Sequence, residues 1–315
     1  MTLTQLGAFV LVARLGSVRA AADALGVSEP AVSRALAALR QHLGDDLLIR
    51  DATGMRLTEG GARLFPLAAQ MVALGADAQA AVLTAKGAPA PLRLLVTSTI
   101  SEFIATPLAE AFGRRHAHDF DLVPGVASTT EMRVLLSHRL ADAALGPNLG
   151  AGPDSGLASS PVLRYRLVVV GSPRTAPTGP PARWPWLVDP SGTDPDSDAG
   201  RLLRRLRIPE NRVRVFPNQT AAWAAAADGA GVAPAVATLV GPQLRRAELR
   251  LVDTGLPPLE SCWYLSALAG DSRPASARYL QNLLAAPATM RLMCAPGAGV
   301  PPSRFRPPVY VTIWS

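Results

Sequence analysis

The feature that most limits what this chain can fold into is a pair of short amphipathic helices joined by one glycine-centred turn. Val18, Ala21, Ala22 and Leu25 repeat at i, i+3, i+4 and i+7 directly after Ser17, whose side-chain oxygen suits a helix N-cap. Gly26 stands where a left-handed residue ends a helix. Ser28 opens the next helix, Pro30 is tolerated in its first turn, and Gly44 closes it. Its apolar stripe is Val32, Ala35, Leu36, Leu39 and Leu43. With only Leu25-Gly26-Val27 between them, the two segments read as a helix-turn-helix. Leu6, Phe9, Val10 and Ala13 supply an earlier helix to pack beneath them.

Two strand-like runs, LLIR and MRL, flank turn residues Asp51–Gly54 and form a two-stranded wing over Leu47–Thr58. Thr58 and Glu59 then open a helix running to about Ala85, roughly 40 Å long at 1.5 Å per residue. Along it Leu64, Leu67, Met71, Leu74, Ala78 and Ala81 alternate steps of three and four, the seam of a paired helix. Pro66 removes one of its internal hydrogen bonds and is expected to kink it. Gly87-Ala88-Pro89-Ala90-Pro91 is a linker. Beyond it, strand-like runs (Leu92–Val96, Phe120–Val126, Asp142–Leu145, Tyr165–Gly171, Trp186–Val188, Arg212–Phe216) alternate with helical ones (Ser101–Arg115, Thr129–His138, Asp198–Leu206, Ala221–Asp228). Such alternation implies parallel sheets with crossover helices, and two such sets imply two lobes with a cleft. A helix near Ala275–Ala286 ends the pattern. The expected division is 1–58, 59–86, 87–287 and a Pro/Gly-rich tail at 288–315, which is read as an extension whose VYVTIW run could also add an edge strand.

With 49% hydrophobic and 17% charged residues among 315, the chain has ample core material and is not disordered. No stretch reads as a membrane span, the N-terminus lacks a basic and apolar leader, and two cysteines make neither a disulfide framework nor a four-ligand zinc site. A cytoplasmic setting is expected. The net charge of +7 does not itself mark a DNA-binding protein. Met1–Ala85 carries seven Arg (14, 19, 34, 40, 50, 56, 63) against seven acids (Asp23, Glu29, Asp45, Asp46, Asp51, Glu59, Asp77), so that segment is neutral.

Gln5–Leu64 closely resembles the DNA-binding domain of LysR-type transcriptional regulators. The resemblance rests on Phe9, Gly16-Ser17, Ala20-Ala21-Ala22, Leu25, Ser28, Pro30-Ala31-Val32-Ser33, Leu39, Leu43-Gly44, Leu47, Arg50 and Leu57-Thr58. The remainder resembles the family's effector domain more loosely, through Pro107-Leu108, Ala230-Gly231-Val232-Ala233 and the β/α order. The resemblance implies an α/β fold with an N-terminal all-α winged helix-turn-helix, followed by a two-lobed effector domain like that of periplasmic binding proteins. It also implies a homodimer paired through the long helices, or a homotetramer, acting on a double-stranded DNA operator under control of a small-molecule effector.

With Val32, Leu36, Leu39 and Leu43 inward, Glu29, Ser33, Ala37 and Arg40 project on another side, flanked by Pro30 and Arg34. The start of a second helix is the part that enters a major groove. Ser28 and Ser33 are small enough to reach phosphates or base edges, and Arg34 suits guanine or phosphate. Arg50 and Arg56 in the wing are expected at the backbone or minor groove. Ser17 and Arg19 begin the preceding helix, where free N–H groups favour phosphate. The family usually has glutamine at Glu29. A carboxylate only accepts hydrogen bonds, as from cytosine N4, and repels phosphate.

In the first lobe, Ser98, Thr99 and Ser101 follow the first strand, and Thr129 and Thr130 follow the second. Asn218 and Gln219 hold the matching junction in the second lobe. Plain N-capping accounts for each cluster. The pocket reading makes them effector contacts, with helix N-termini favouring an anionic metabolite. Arg201, Arg204 and Arg205 share one face opposite Leu202, Leu203 and Leu206, which reads as a solvated helix face. No cofactor, metal site or catalytic constellation is expected: there is no HExxH, Walker A, complete GxGxxG or GxSxG. His116-Ala117-His118-Asp119 falls in a connection. The competing reading is a small-molecule receptor whose DNA-binding half is vestigial.

Overall fold

The computed structural model describes residues 1–51, 54–86, 89–116, 119–150, 156–270 and 274–294. Helices α1 (Leu3–Leu15), α2 (Val18–Leu25) and α3 (Glu29–Leu43) close around Leu6, Phe9, Val12, Ala21, Ala22, Val32, Leu36 and Leu39, all buried. Ser17 caps α2 by accepting the Ala20 N–H at 3.3 Å. Gly26 and Gly44 take left-handed φ of 66° and 67° where each helix stops, the conformation a Cβ disfavours. Leu43, expected in the apolar stripe, is exposed instead.

The wing is β1 (Leu48–Asp51) antiparallel to β2 (Gly54–Leu57), with Leu48 opposite Leu57. One carboxylate ties the wing's base to the next helix. Asp45 Oδ1 accepts the Leu47 N–H at 2.6 Å and the Thr58 hydroxyl at 2.7 Å. Those two bonds hold its pKa below the ordinary carboxylate value. Thr58 Oγ1 in turn accepts the Gly61 N–H at 2.9 Å at the start of α4 (Glu59–Ala85). Between them Leu47, buried, is forced to a left-handed φ of 59°. Helix α4 continues through Pro66. Its Ala68 and Val72 are buried while Leu67, Met71 and Leu74 are exposed.

In the first lobe β3 (Ala90–Val96) lies between β4 (Phe120–Val126) and β5 (Ala143–Gly146), all parallel. One-turn α5 (Ser98–Ile100) passes through a π-helical stretch (Ser101–Ala105) into α6 (Thr106–His116), and α7 (Thr129–Ser137) follows β4. Strand β6 (Leu157–Gly171) leaves this lobe for the second. There β7 (Trp186–Val188), α8 (Asp198–Arg205), β8 (Val213–Val215), α9 (Gln219–Ala227), β9 (Val232–Val236), α10 (Gly241–Arg245) and β10 (Arg250–Leu251) succeed one another. β11 (Leu259–Leu268) returns, and α11 (Ala275–Leu284) and α12 (Pro287–Cys294) close the described chain.

The two crossing strands pair with each other, from Leu157 opposite Leu268 to Leu167 opposite Leu259. β11 also pairs with β5, and β6 with β9. One sheet, ordered β4-β3-β5-β11-β6-β9-β7-β8, therefore runs through both lobes, with a bulge at Trp263/Tyr264 where it passes between them. The helix α12 occupies residues 287–294, the first part of the segment expected to be a tail, and it buries Met293. VYVTIW lies outside the described residues.

Candidate nucleic-acid interface and effector cleft

Capping and packing of α3 leave Glu29, Pro30, Ser33 and Arg34 on its solvent side, with Ser28 exposed just before them. Ser28 takes the N-cap position without a side-chain capping bond. Arg34 Nε donates to the Pro30 carbonyl at 3.3 Å, which lays the guanidinium along the exposed face. Arg19 on α2 is exposed, and Ser17 already serves as a cap. Arg56 is exposed on β2. Arg50 stands on β1 opposite Met55, its side chain outside the described part. Arg40 does not project as expected. Its Nε donates to the Asp46 carbonyl at 2.7 Å and its Nη2 to the Leu48 carbonyl at 3.0 Å, so it anchors the wing.

Between the lobes lies a cavity of about 50 Å³ lined by Thr97, Thr99, Tyr165, Asp198, Gln219 and Trp263, among others. The rings of Tyr165 and Trp263 form one wall, with centroids 4.7 Å apart. Of the residues expected here, Thr99 and Gln219 line the cavity, and Gln219 is fixed by donating from Nε2 to the Pro234 carbonyl at 2.9 Å. Ser98 reaches across the cleft and donates to Asp189 of the other lobe. Thr129 is buried, and its backbone N–H donates to Asp194 Oδ2 at 2.9 Å. Ser101, Thr130 and Asn218 do not line the cavity. Thr130 and Asn218 are exposed, and the Asn218 side chain caps α9 by accepting the Ala221 N–H at 2.8 Å. Capping, the plainer reading, describes Asn218.

Residues 3–62 match the bacterial regulatory helix-turn-helix proteins of the lysR family, and residues 85–288 match the LysR substrate binding domain. The chain belongs to the LysR family. An HTH-type transcriptional regulator of Mycobacterium tuberculosis, Rv0377, is 35% identical over 325 aligned positions that span 100% of each chain. Among solved structures, a full-length AphB variant superposes with a TM-score of 0.59 at 19% identity, covering 90% of this chain and 98% of that one. Full-length CbnR complexed with its target DNA gives 0.53 at 21% identity, covering 90% and 99%. These two likenesses establish the fold: a helix-turn-helix followed by a two-lobed α/β region. The family is one of DNA-binding transcriptional regulators.

Several cleft residues of this LysR protein were not singled out by sequence reasoning. Asp189 and Asp194 bound a turn-rich DPSGTD segment after β7, Glu102 follows the hydroxyl cluster it was overshadowed by, and Tyr165 and Trp263 sit on the crossing strands. Acidic residues beside Ser and Gly in that loop were the available signal. Their partners, 65 to 118 residues away, were not. No helix among the described residues is long and apolar enough to cross a membrane, and no group of three His, Cys, Asp or Glu among them could hold a metal.

Proposed function

We propose that this LysR-family regulator places the N-terminal end of α3 in the major groove of a specific operator and adjusts that binding through a small molecule held between its two lobes. The observation that carries the reading is the outward face of α3. Ser28, Glu29, Ser33 and Arg34 are together in solvent on a helix whose opposite side buries Val32, Leu36 and Leu39, the arrangement a groove-reading helix needs. In this reading Arg34 contacts guanine or phosphate. Arg19, Arg50 and Arg56 contact the backbone, and Ser17 and Pro30 set the approach. Residues 1–58 grip DNA, 59–86 pair two chains into a homodimer that can associate further to a tetramer, and 87–287 sense the effector.

Thr99 and Gln219 contact the effector in the cavity, with Ser98 and Thr129 at its lobe contacts. Ser101, Thr130 and Asn218 are peripheral. No residue is assigned a catalytic role. CbnR, complexed with its target DNA, supplies the analogy for the operator. The ligand acts by its differential affinity for two arrangements of the lobes. The test is fluorescence anisotropy with operator and unrelated duplexes. Arg34→Ala should lose the difference between them while the dimer persists, and an unchanged difference contradicts the assignment. Thr99→Val should weaken the effector response and leave operator affinity without effector unaltered.

A further inference from the structure

The sequence pointed to helix N-termini in the cleft as seats for an acidic effector. In the folded chain two of those seats, the N-termini of α9 and α7, hold the protein's own carboxylates. Glu102, from the first lobe, accepts the Gln219 N–H through Oε2 and the Thr220 N–H through Oε1, each at 2.8 Å. With Asn218 accepting the Ala221 N–H, the three leading N–H groups of α9 are all engaged. The relation is repeated in the opposite direction. Asp194, from the second lobe, accepts the Thr129 N–H at 2.9 Å, and the Ser128–Glu131 capping box engages the Ser128 and Glu131 N–H groups beside it.

Two more contacts bridge the same gap. Asp189, buried, accepts from Ser98 and from Ser191 at 2.6 Å. Asp196 lies 3.6 Å from Arg133. Beside Glu102, the Phe103 ring stacks on Trp223 of α9, with centroids 5.3 Å apart. A carboxylate at a helix N-terminus is held both by N–H bonds and by the helix dipole, so each bridge draws the lobes together without a ligand.

The cavity that remains matches this arrangement. Its charged lining residue among those described is Asp198, already bonded to Arg201 and, at 2.9 Å, to the Ser261 hydroxyl. No Arg, Lys or His lines it. An entering carboxylate would meet the Asp198 carboxylate, no cation, and leading N–H groups of α9 that are already engaged, an unfavourable desolvation. Thr99 and Tyr165 keep hydroxyls without a protein partner among the described residues, next to the apolar faces of Trp263 and Leu167.

We infer that Glu102 and Asp194 act as tethered anions that hold the cleft closed on α9 and α7, so that the effector is a molecule without a carboxylate, read by Thr99 and Tyr165. This rests on the cleft being the effector site. The probe is sodium acetate on the full chain, with sodium chloride and acetamide as controls, read by hydrogen exchange of the first turn of α9.

In the wild type, acetate leaves that exchange unchanged. In Glu102→Ala the exchange rises by about tenfold or more, and acetate, but not acetamide, restores protection. Should Glu102→Ala unfold, Glu102→Gln serves. It keeps one acceptor and is expected to show an intermediate rise with no response to acetate. Protection of the wild type by acetate, or unchanged exchange in both variants, overturns the inference. The effector-site reading fails separately. If exchange responds as described while operator affinity stays the same in every combination, the tethered anions stand and the cleft's regulatory role falls.

Discussion

Arg14, near the end of the first helix, donates from Nε to Nε2 of His138, 124 residues later, at 3.4 Å. The contact joins the DNA-binding module to the first lobe. Phe65 of α4 completes it, with its ring edge-on to His138 at 5.5 Å and the Arg14 guanidinium 4.6 Å from its centroid. Around this point one apolar cluster runs from Leu6 and Phe9 into Met132, Leu135 and Leu136 of α7. The effector domain is thereby coupled to the helix-turn-helix by packed side chains and not only through the linker.

That geometry requires a neutral His138, since Nε2 accepts. Burial first, and the Arg14 charge second, push its pKa below the usual 6.5. The unfolded state therefore takes up the proton before the folded one. Stability from this group is fully present above pH 6.5 and is lost as pH falls from there through the lowered folded value. The midpoint of thermal unfolding of the wild type should fall between pH 7.5 and 5 more steeply than that of His138→Phe, which keeps a ring against Phe65. Parallel curves would refute the assignment.

Glu29 occupies the first position of α3 in full solvent. In the proposed docking, Glu29→Gln removes a charge that would repel phosphate and supplies a donor as well as an acceptor. DNA affinity should rise, with the preferred base under this residue shifting from cytosine toward adenine, a discrimination of ~1–3 kcal/mol. Binding to duplexes varied at one position reads it directly.

On α4, Leu67 and Leu74 are 58% and 66% exposed, an apolar stripe that a solitary chain leaves in water. In the proposed dimer paired through α4, Leu74→Asp should give a monomer in sedimentation velocity while the circular dichroism of the domains is retained. A dimer that survives at micromolar concentration places the interface elsewhere.

Gly61 sits against the wing. A Cβ there collides with the Leu47 carbonyl, which is backbone and cannot swing aside. Gly61→Ala should cost about 2 kcal/mol, in the range typical of overpacking, and should loosen the wing because Leu47 is already in a left-handed conformation. Chemical denaturation measures the loss, and an unchanged midpoint contradicts it.

The helical half was legible because its signals are local. Ser17, Gly26 and Gly44 cap or stop their helices through neighbouring backbone alone, and the stripe on α3 has a period that needs no partner. β3, β4 and β7 were legible for the same reason. Strand β11 and the first half of β6 were not, because Leu157–Val162 and Leu259–Cys262 mix polar and apolar residues and acquire their extended form by pairing with each other. α12 was hidden by the Pro and Gly around it. In the cleft, hydroxyl clusters at strand ends marked the neighbourhood, and Thr99 and Gln219 do line the cavity. Their carboxylate partners could not be read from spacing, because a helix N-terminus satisfied by a distant acid has the same sequence as one awaiting a ligand.

The central claim, selective recognition of duplex DNA by the α3 face, is tested most directly by letting the full chain select from a pool of random duplexes at two salt concentrations. The account predicts enrichment of a two-fold-related sequence, bound ~10³-fold or more above the starting pool, with affinity that weakens as salt rises. No enrichment at either salt would contradict it and leave a two-lobed receptor whose DNA-binding half is vestigial.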